Sequence, residues 1–207
     1  MPSLRTDDLT TIAQVFRSPK QDHRRRWDLH EGATLRGMTV SAPPETTIRP
    51  ILPEDAPALV EILAHPTVAR WWGTFDEERV EKELIVGEPD LRVYAIEVDG
   101  HIVGAIQSYE EPEPEFRHAG IDLFLADEIQ GHGVGPTAIR LVARRLIEED
   151  GHHRITIDPA AANEHAISAY EKVGFRRVGT LRRYQRMSDG TWIDGLLMEL
   201  LADELID

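Results

Sequence analysis

From residue 46 to residue 201 the apolar positions switch repeatedly between a period of two and a period near 3.6. Residues 47–51 alternate as a short strand. Pro53-Glu54-Asp55 then open a helix, because proline tolerates the first turn and acids face its positive end. Leu59, Ile62 and Leu63 follow at helical spacing, and a second short helix is expected over 76–86. Strands over 91–98 and 101–108 flank Asp99-Gly100, a dipeptide suited to a two-residue hairpin. A strand over 120–126 runs into a glycine cluster, and beyond it Ile139, Val142, Leu146 and Ile147 mark one face of a longer helix. A buried strand at 154–157, a helix at 163–173, a strand at 175–186, a turn at Ser188-Asp189-Gly190 and a last strand at 192–201 complete the series. Hairpin and crossover connections both occur, which predicts an α/β (α+β) fold with a mixed sheet and helices on both faces.

Residues 1–45 differ from this pattern. They carry the basic run His23-Arg24-Arg25-Arg26 and end in the linker-like Ser41-Ala42-Pro43-Pro44, so an N-terminal extension is expected before a folded domain over 46–207. Met38, with a polar lead-in, is a second candidate start of the chain. The early acids and broken apolar pattern of the first residues do not read as a secretory leader. No apolar run approaches the ~18–20 residues needed to span a bilayer.

The chain has 207 residues, 29% of them charged, and no cysteine. Without a thiol no disulfide framework forms and no acyl group is carried on a thiolate; a reducing cytoplasm fits this composition. A net charge of −14 disfavours nucleic acid, whose phosphates would be repelled, and suits a cationic small substrate.

The glycine cluster is Gln130-Gly131-His132-Gly133-Val134-Gly135-Pro136, between a strand and an amphipathic helix. Glycines let successive backbone N–H groups converge on an anion, and the helix that follows turns its positive end toward it. A plain tight turn fits the same residues. A Gly-Lys-Ser/Thr ending is absent, and the turn comes after four candidate strands, unlike a dinucleotide-binding fingerprint. It resembles the Gln/Arg-x-x-Gly-x-Gly/Ala pyrophosphate loop of the GCN5-related N-acetyltransferases, with Gln130, Gly133 and Gly135 in the three diagnostic places. Further along, Asn163, Ala166, Tyr170, Gly174 and Phe175 match that family's Asn-x-x-Ala-x-x-x-Tyr-x-x-x-Gly-Phe pattern.

The resemblance covers about 46–201. It implies a mostly antiparallel sheet splayed between its fourth and fifth strands, here 120–126 and 154–157. It also implies acetyl-CoA as co-substrate, with no metal, and direct attack by an amine in a ternary complex. Gln130, Gly131, His132, Gly133, Val134, Gly135, Pro136 and Asn163 would hold the coenzyme. Tyr170 would be the acid for the departing thiolate. On sequence alone Asn163 also suits a helix N-cap, and Tyr170 a core aromatic.

Asp122 alternates onto one strand face with Phe124, opposite Ile121, Leu123 and Leu125. A carboxylate in a half-buried strand is costly without a partner, which makes it a candidate functional group. Asp158-Pro159 ends the next strand, as a turn or as a second carboxylate facing the substrate.

The segment His65-Pro66-Thr67-Val68-Ala69-Arg70-Trp71-Trp72-Gly73 resembles the Trp-Trp-Gly region flanking the cleft of aminoglycoside 6′-N-acetyltransferases, as Gly120-Ile121-Asp122 and Asp158-Pro159 resemble local motifs of the same enzymes. The resemblance makes Asp122 catalytic base or anchor, and Trp71, Trp72, Asp122 and Asp158 the acceptor site. Glu110 and Glu111, in the run 110–116, add carboxylates to that expected site. Core tryptophans and a solvated Glu-Pro loop are the alternative readings. The expected acceptor is thus a small polycationic amine, with the protein a monomer or homodimer. Acylation of a hydroxylysine-type siderophore precursor or a peptide N-terminus, and non-catalytic acyl-CoA binding, are the competing functions.

Overall fold

In a computed structural model of the protein, residues 45–207 are described. The basic run at 23–26, the proline linker at 41–44 and the candidate start at Met38 lie outside the described residues. Strand β1 (Thr46–Pro50) leads through a 3-10 turn (Pro53–Asp55) to α1 (Ala56–Ala64), α2 (Pro66–Trp72) and α3 (Glu77–Val80), which continues as a wider π-type turn over Glu81–Val86. The hairpin β2 (Arg92–Val98) and β3 (His101–Glu111) precedes β4 (His118–Leu125), α4 (Val134–Glu148), β5 (Arg154–Ile157) and α5 (Glu164–Glu171). The long hairpin β6 (Arg176–Arg186) and β7 (Trp192–Leu201) closes the fold. Strand β3 runs three residues beyond the expected 108, so Glu110 and Glu111 are strand residues paired with Ala119 and His118 rather than loop.

The sheet order is β1-β2-β3-β4-β5-β7-β6, antiparallel except for the parallel pair β4–β5. Two apolar clusters use it. One gathers Ile106, Ile121, Ile139, Val142, Ile155, Ile167 and Met198 around α4 and α5. The other gathers Leu59, Leu63, Val68, Phe75, Val80 and Phe124 around α1 to α3. Ile121 and Phe124 of the same strand belong to different clusters, as the alternation requires.

The β4–β5 pairing positions the site. Only Ala119↔Ile155 and Gly120↔Thr156 are in register, while on its other side β4 stays paired to β3 as far as Gly104↔Leu125. From Ile121 onward β4 leaves β5, and its polar groups on that side have no strand partner. Gly120 sits at the parting because the Tyr109 ring covers it: a Cβ there would stand 2.0 Å from the ring.

At the far edge, Asp55 is a buried carboxylate answered by Arg49, whose guanidinium donates to it twice at 2.6 and 2.8 Å, and by the Leu52 N–H at 2.8 Å. Arg49 also reaches Glu97 on β2 at 3.0 Å, which ties β1, the first turn and β2 together. Arg49→Ala strands that charge, so urea unfolding should show a loss of about 3 kcal/mol. Arg49→Lys should recover only part of it, because an ammonium cannot make the forked contact.

Candidate active site

The parting of β4 and β5 opens into a cleft of about 1240 Å³. Its walls come from α2, the free half of β4, the glycine turn, the first turns of α4, the length of α5, the segment after β5, and β6. Trp71, Trp72, Asp122, Gln130, Gly131, Gly133, Gly135, Pro136, Asp158, Asn163 and Tyr170 all line it, so residues far apart in sequence share one space.

At one end lies the glycine turn. Gly131 and Gly133 have φ of 80° and 85°, a left-handed backbone that a side chain resists. Gly133 caps the 15-residue α4 without offering a side-chain acceptor, so the first-turn amides of that helix remain available to a ligand. The Gln130 side chain donates to the Leu125 carbonyl at 3.1 Å and pins the turn to the end of β4. A diphosphate fits these residues: nothing lies over Gly131, no side chain caps the first turn of α4, and the helix end is positive. His132 is exposed outside the cleft lining, with Nδ1 on the Gln130 carbonyl at 3.0 Å, and the Val134 side chain is fully buried in the α4 core. Val134 can therefore meet a coenzyme only through its main chain.

The other walls carry the chemistry. Asn163 is the N-cap of α5 and accepts from the Ala166 N–H at 3.2 Å while still lining the cleft. Tyr170 packs against Phe175, its ring centroid 6.3 Å away. Burial, reinforced by the charges of Asp122 and Asp158, pushes its phenol above the ordinary tyrosine range. The hydroxyl therefore keeps its proton at neutral pH. Burial also raises the Asp122 carboxyl to about 6, with Asp158 adding to the shift and a long 3.5 Å contact from Gln107 opposing it. The Asp158 carboxyl is raised by burial and lowered by the hydroxyl of Tyr184, which donates to it at 2.8 Å. None of the ion pairs among the described residues includes Asp122 or Asp158. Asp122 and Asp158 thus face the cleft without an ion-pair partner among the described residues.

The tryptophans serve wall and core together. Trp72 meets Phe124 edge-on at 5.0 Å, and Trp71 lies under the Arg70 guanidinium at 4.4 Å. Glu110 and Glu111 do not join this site. Glu110 points to the face opposite Asp122, where Arg117 holds it at 2.6 Å and the buried His152 lies 3.8 Å away. Glu111, at the strand end, accepts from the Glu113 N–H at 3.1 Å, away from the cleft lining. Pairing of β3 with β4 through Glu111 sets both positions: alternation turns Glu110 away, and the strand carries Glu111 past the site.

Four residues near the acid pair carried no motif. Gln107 and Tyr109 stand opposite Asp122 and Gly120 on β3 and were detectable only by strand alternation once the register was known. Tyr184 and Gln185 come from β6, and Gln185 donates to the Trp71 carbonyl at 2.7 Å. Local periodicity gives no sign that this strand returns to the cleft.

A family model for the acetyltransferase (GNAT) domain matches residues 45–176. The chain belongs to that family and is an acetyl-CoA-dependent N-acetyltransferase. It is 28% identical over 169 residues to an aminoglycoside N(6′)-acetyltransferase type 1 of Klebsiella pneumoniae, covering 72% of this chain and 83% of the relative. A solved aminoglycoside acetyltransferase, AAC(6′)-Ib in complex with coenzyme A and kanamycin, superposes with a TM-score of 0.65 at 27% identity, over 77% of this chain and 96% of that one. A spermidine N-acetyltransferase from Vibrio cholerae, solved with CoA and spermine, shares the fold at a TM-score of 0.67 and 20% identity, over 77% and 96% of the two chains.

Asp122 carries a cost with a definite pH dependence. Its raised pKa means that the folded state holds the proton more tightly than the unfolded chain does. Stability is therefore lost as pH rises from about 4 to about 6, and the loss is complete above that window. Asp122→Asn should raise the unfolding free energy at pH 7.5 by about 1–3 kcal/mol. The gain should shrink by about half or more at pH 4.5, as urea titrations at the two pH values would show.

Proposed function

We propose that this N-acetyltransferase moves the acetyl group of acetyl-CoA onto a primary amine of a small polycationic acceptor, the 6′-amine of an aminoglycoside, by direct attack in a ternary complex. The observation that carries this reading is the pair Asp122 and Asp158, both lining the cleft beside Tyr170 and neither matched by a cation among the described residues. Two carboxylates held above their ordinary pKa in a partly closed space gain most from an acceptor that brings its own ammonium groups. The faces of Trp71 and Trp72 favour the same charge. The similarity to aminoglycoside N(6′)-acetyltransferases supports the choice within this class.

Acetyl-CoA supplies an activated thioester, and the residues of the chain do the rest. The α4 end and the glycine turn hold the diphosphate. The unpaired edge of β4 beyond Gly120 offers main-chain donors where charge grows on the carbonyl oxygen. Asp122 binds the incoming ammonium, which restores its ionised form, and takes the proton released as the nitrogen becomes nucleophilic. Tyr170, protonated at neutral pH, donates toward the departing sulfur. The chain has no cysteine, so a thiol-bound acyl intermediate has no carrier.

Thiol release should occur with kanamycin and fail with paromomycin, which has a hydroxyl in place of the 6′-amine; turnover with neither refutes the aminoglycoside reading. Asp122→Asn should lower kcat/KM by ~10²-fold or more. In the parent enzyme kcat/KM should fall as pH drops through about 6, and the variant should lose that limb. Tyr170→Phe should lower kcat while leaving acetyl-CoA affinity within about twofold; unchanged turnover would remove its role as acid.

A further inference from the structure

Strand β6 is the outer edge of the sheet, exposed along nearly its whole length, yet one part of it reaches the cleft. After a first register shift between Arg177 and Gly179, its pairing with β7 runs to Leu181↔Gly195 and resumes at Gln185↔Ile193. Between them Arg182, Arg183 and Tyr184 stand against the single residue Asp194. Arg183 takes a φ of 51°, in the left-handed region that an arginine enters only at a cost. Its N–H donates to the Asp194 carboxylate at 2.7 Å, which holds the bulge in that shape.

The result is an aimed side chain. Tyr184 crosses over Gly195, where an added Cβ would stand 2.8 Å from the ring, and its hydroxyl donates to Asp158 Oδ2 at 2.8 Å. The next residue, Gln185, donates to the Trp71 carbonyl. The segment that carries Asp158 is tied to the same stretch of β7: Ala161 N–H donates to the Asp194 carbonyl and Leu196 N–H to the Pro159 carbonyl, each at 2.8 Å. One bulge thus fixes a carboxylate on one wall and the end of α2 on the other. The neutral donor on Oδ2 favours the charged form of Asp158 against the effect of burial without pairing that charge, which leaves the carboxylate to a cation of the ligand.

We infer that the β6 bulge is the acceptor-selecting element of this enzyme, with Tyr184 a positioning residue that holds Asp158 to receive an ammonium group of the acceptor other than the one acetylated. The inference rests on the polycationic acceptor proposed above. It predicts that Tyr184 acts on acceptor binding, apart from acyl transfer.

The test is steady-state thiol release with kanamycin and with spermidine, using the full chain and its Tyr184→Phe, Asp158→Asn and doubly substituted forms. Tyr184→Phe should raise the acceptor KM about tenfold, the scale of one hydrogen bond to a charged group, with kcat and the acetyl-CoA KM moving less than about twofold. Adding it to Asp158→Asn should cost nothing further, since the hydroxyl then has no charge to position. An unchanged KM in Tyr184→Phe, a loss confined to kcat, or an additive double variant would overturn the inference while leaving the function intact. A parent enzyme that neither binds nor acetylates either polyamine would remove both.

Discussion

The whole site depends on where one strand pair stops. Strands β4 and β5 are joined only at Ala119↔Ile155 and Gly120↔Thr156, and the space they leave is the cleft. A sheet normally satisfies every interior N–H and C=O, so such a gap survives only if the surroundings hold the strands apart. Here β4 remains laced to β3 through Leu125, β5 to β7 from Arg154 to Ile157, and α4 packs against β4 from one side. The unpaired edge is left for a ligand, and each end of it leads to a functional group: β4 runs into the glycine turn, and β5 into Asp158.

A second constraint follows from the first. Opening a sheet beside a core places polar side chains in a partly dry space, and Asp122 and Asp158 are held there with raised pKa values and no neutralising partner among the described residues. Such a pair lowers the stability of the unliganded fold at neutral pH, and a cationic acceptor reverses that cost as it binds. Elsewhere buried and half-buried carboxylates are treated differently. Asp55 has a forked arginine and a main-chain N–H, and Glu110 has Arg117. Asp122 and Asp158 have no such partner among the described residues, while Asp55 and Glu110 are answered by the fold.

Much of this was legible in the chain because it is local. Hairpin chemistry at Asp99-Gly100, the glycine turn and the helical spacing from Asn163 to Tyr170 each act over a few residues, and the structure brings Asp122, Asp158, Tyr170, Trp71 and Trp72 to one cleft. What was not legible is set by register. Glu110 and Glu111 read as part of an acidic loop because prolines follow them, but β3 extends through both. Once they are strand residues, alternation and pairing with β4 decide where they point, and composition has no say. Tyr184 and Gln185 escaped notice for the converse reason: they lie in an exposed edge strand, and only a three-against-one bulge turns them inward.

That bulge also accounts for an edge strand of this kind. A long exposed strand with five arginines and a free row of main-chain groups is a liability for unwanted pairing, and charge and bulging are the usual defences. In this chain the defence and the site share the same residues. Arg183 breaks the ladder by adopting a left-handed backbone, Asp194 holds that break, and the displaced Tyr184 lands on Asp158. Straightening the strand would restore a regular edge and withdraw the hydroxyl from the carboxylate in one movement. The acceptor recognition proposed for Asp158 is therefore coupled to the shape of an element whose own packing contributes little to the core.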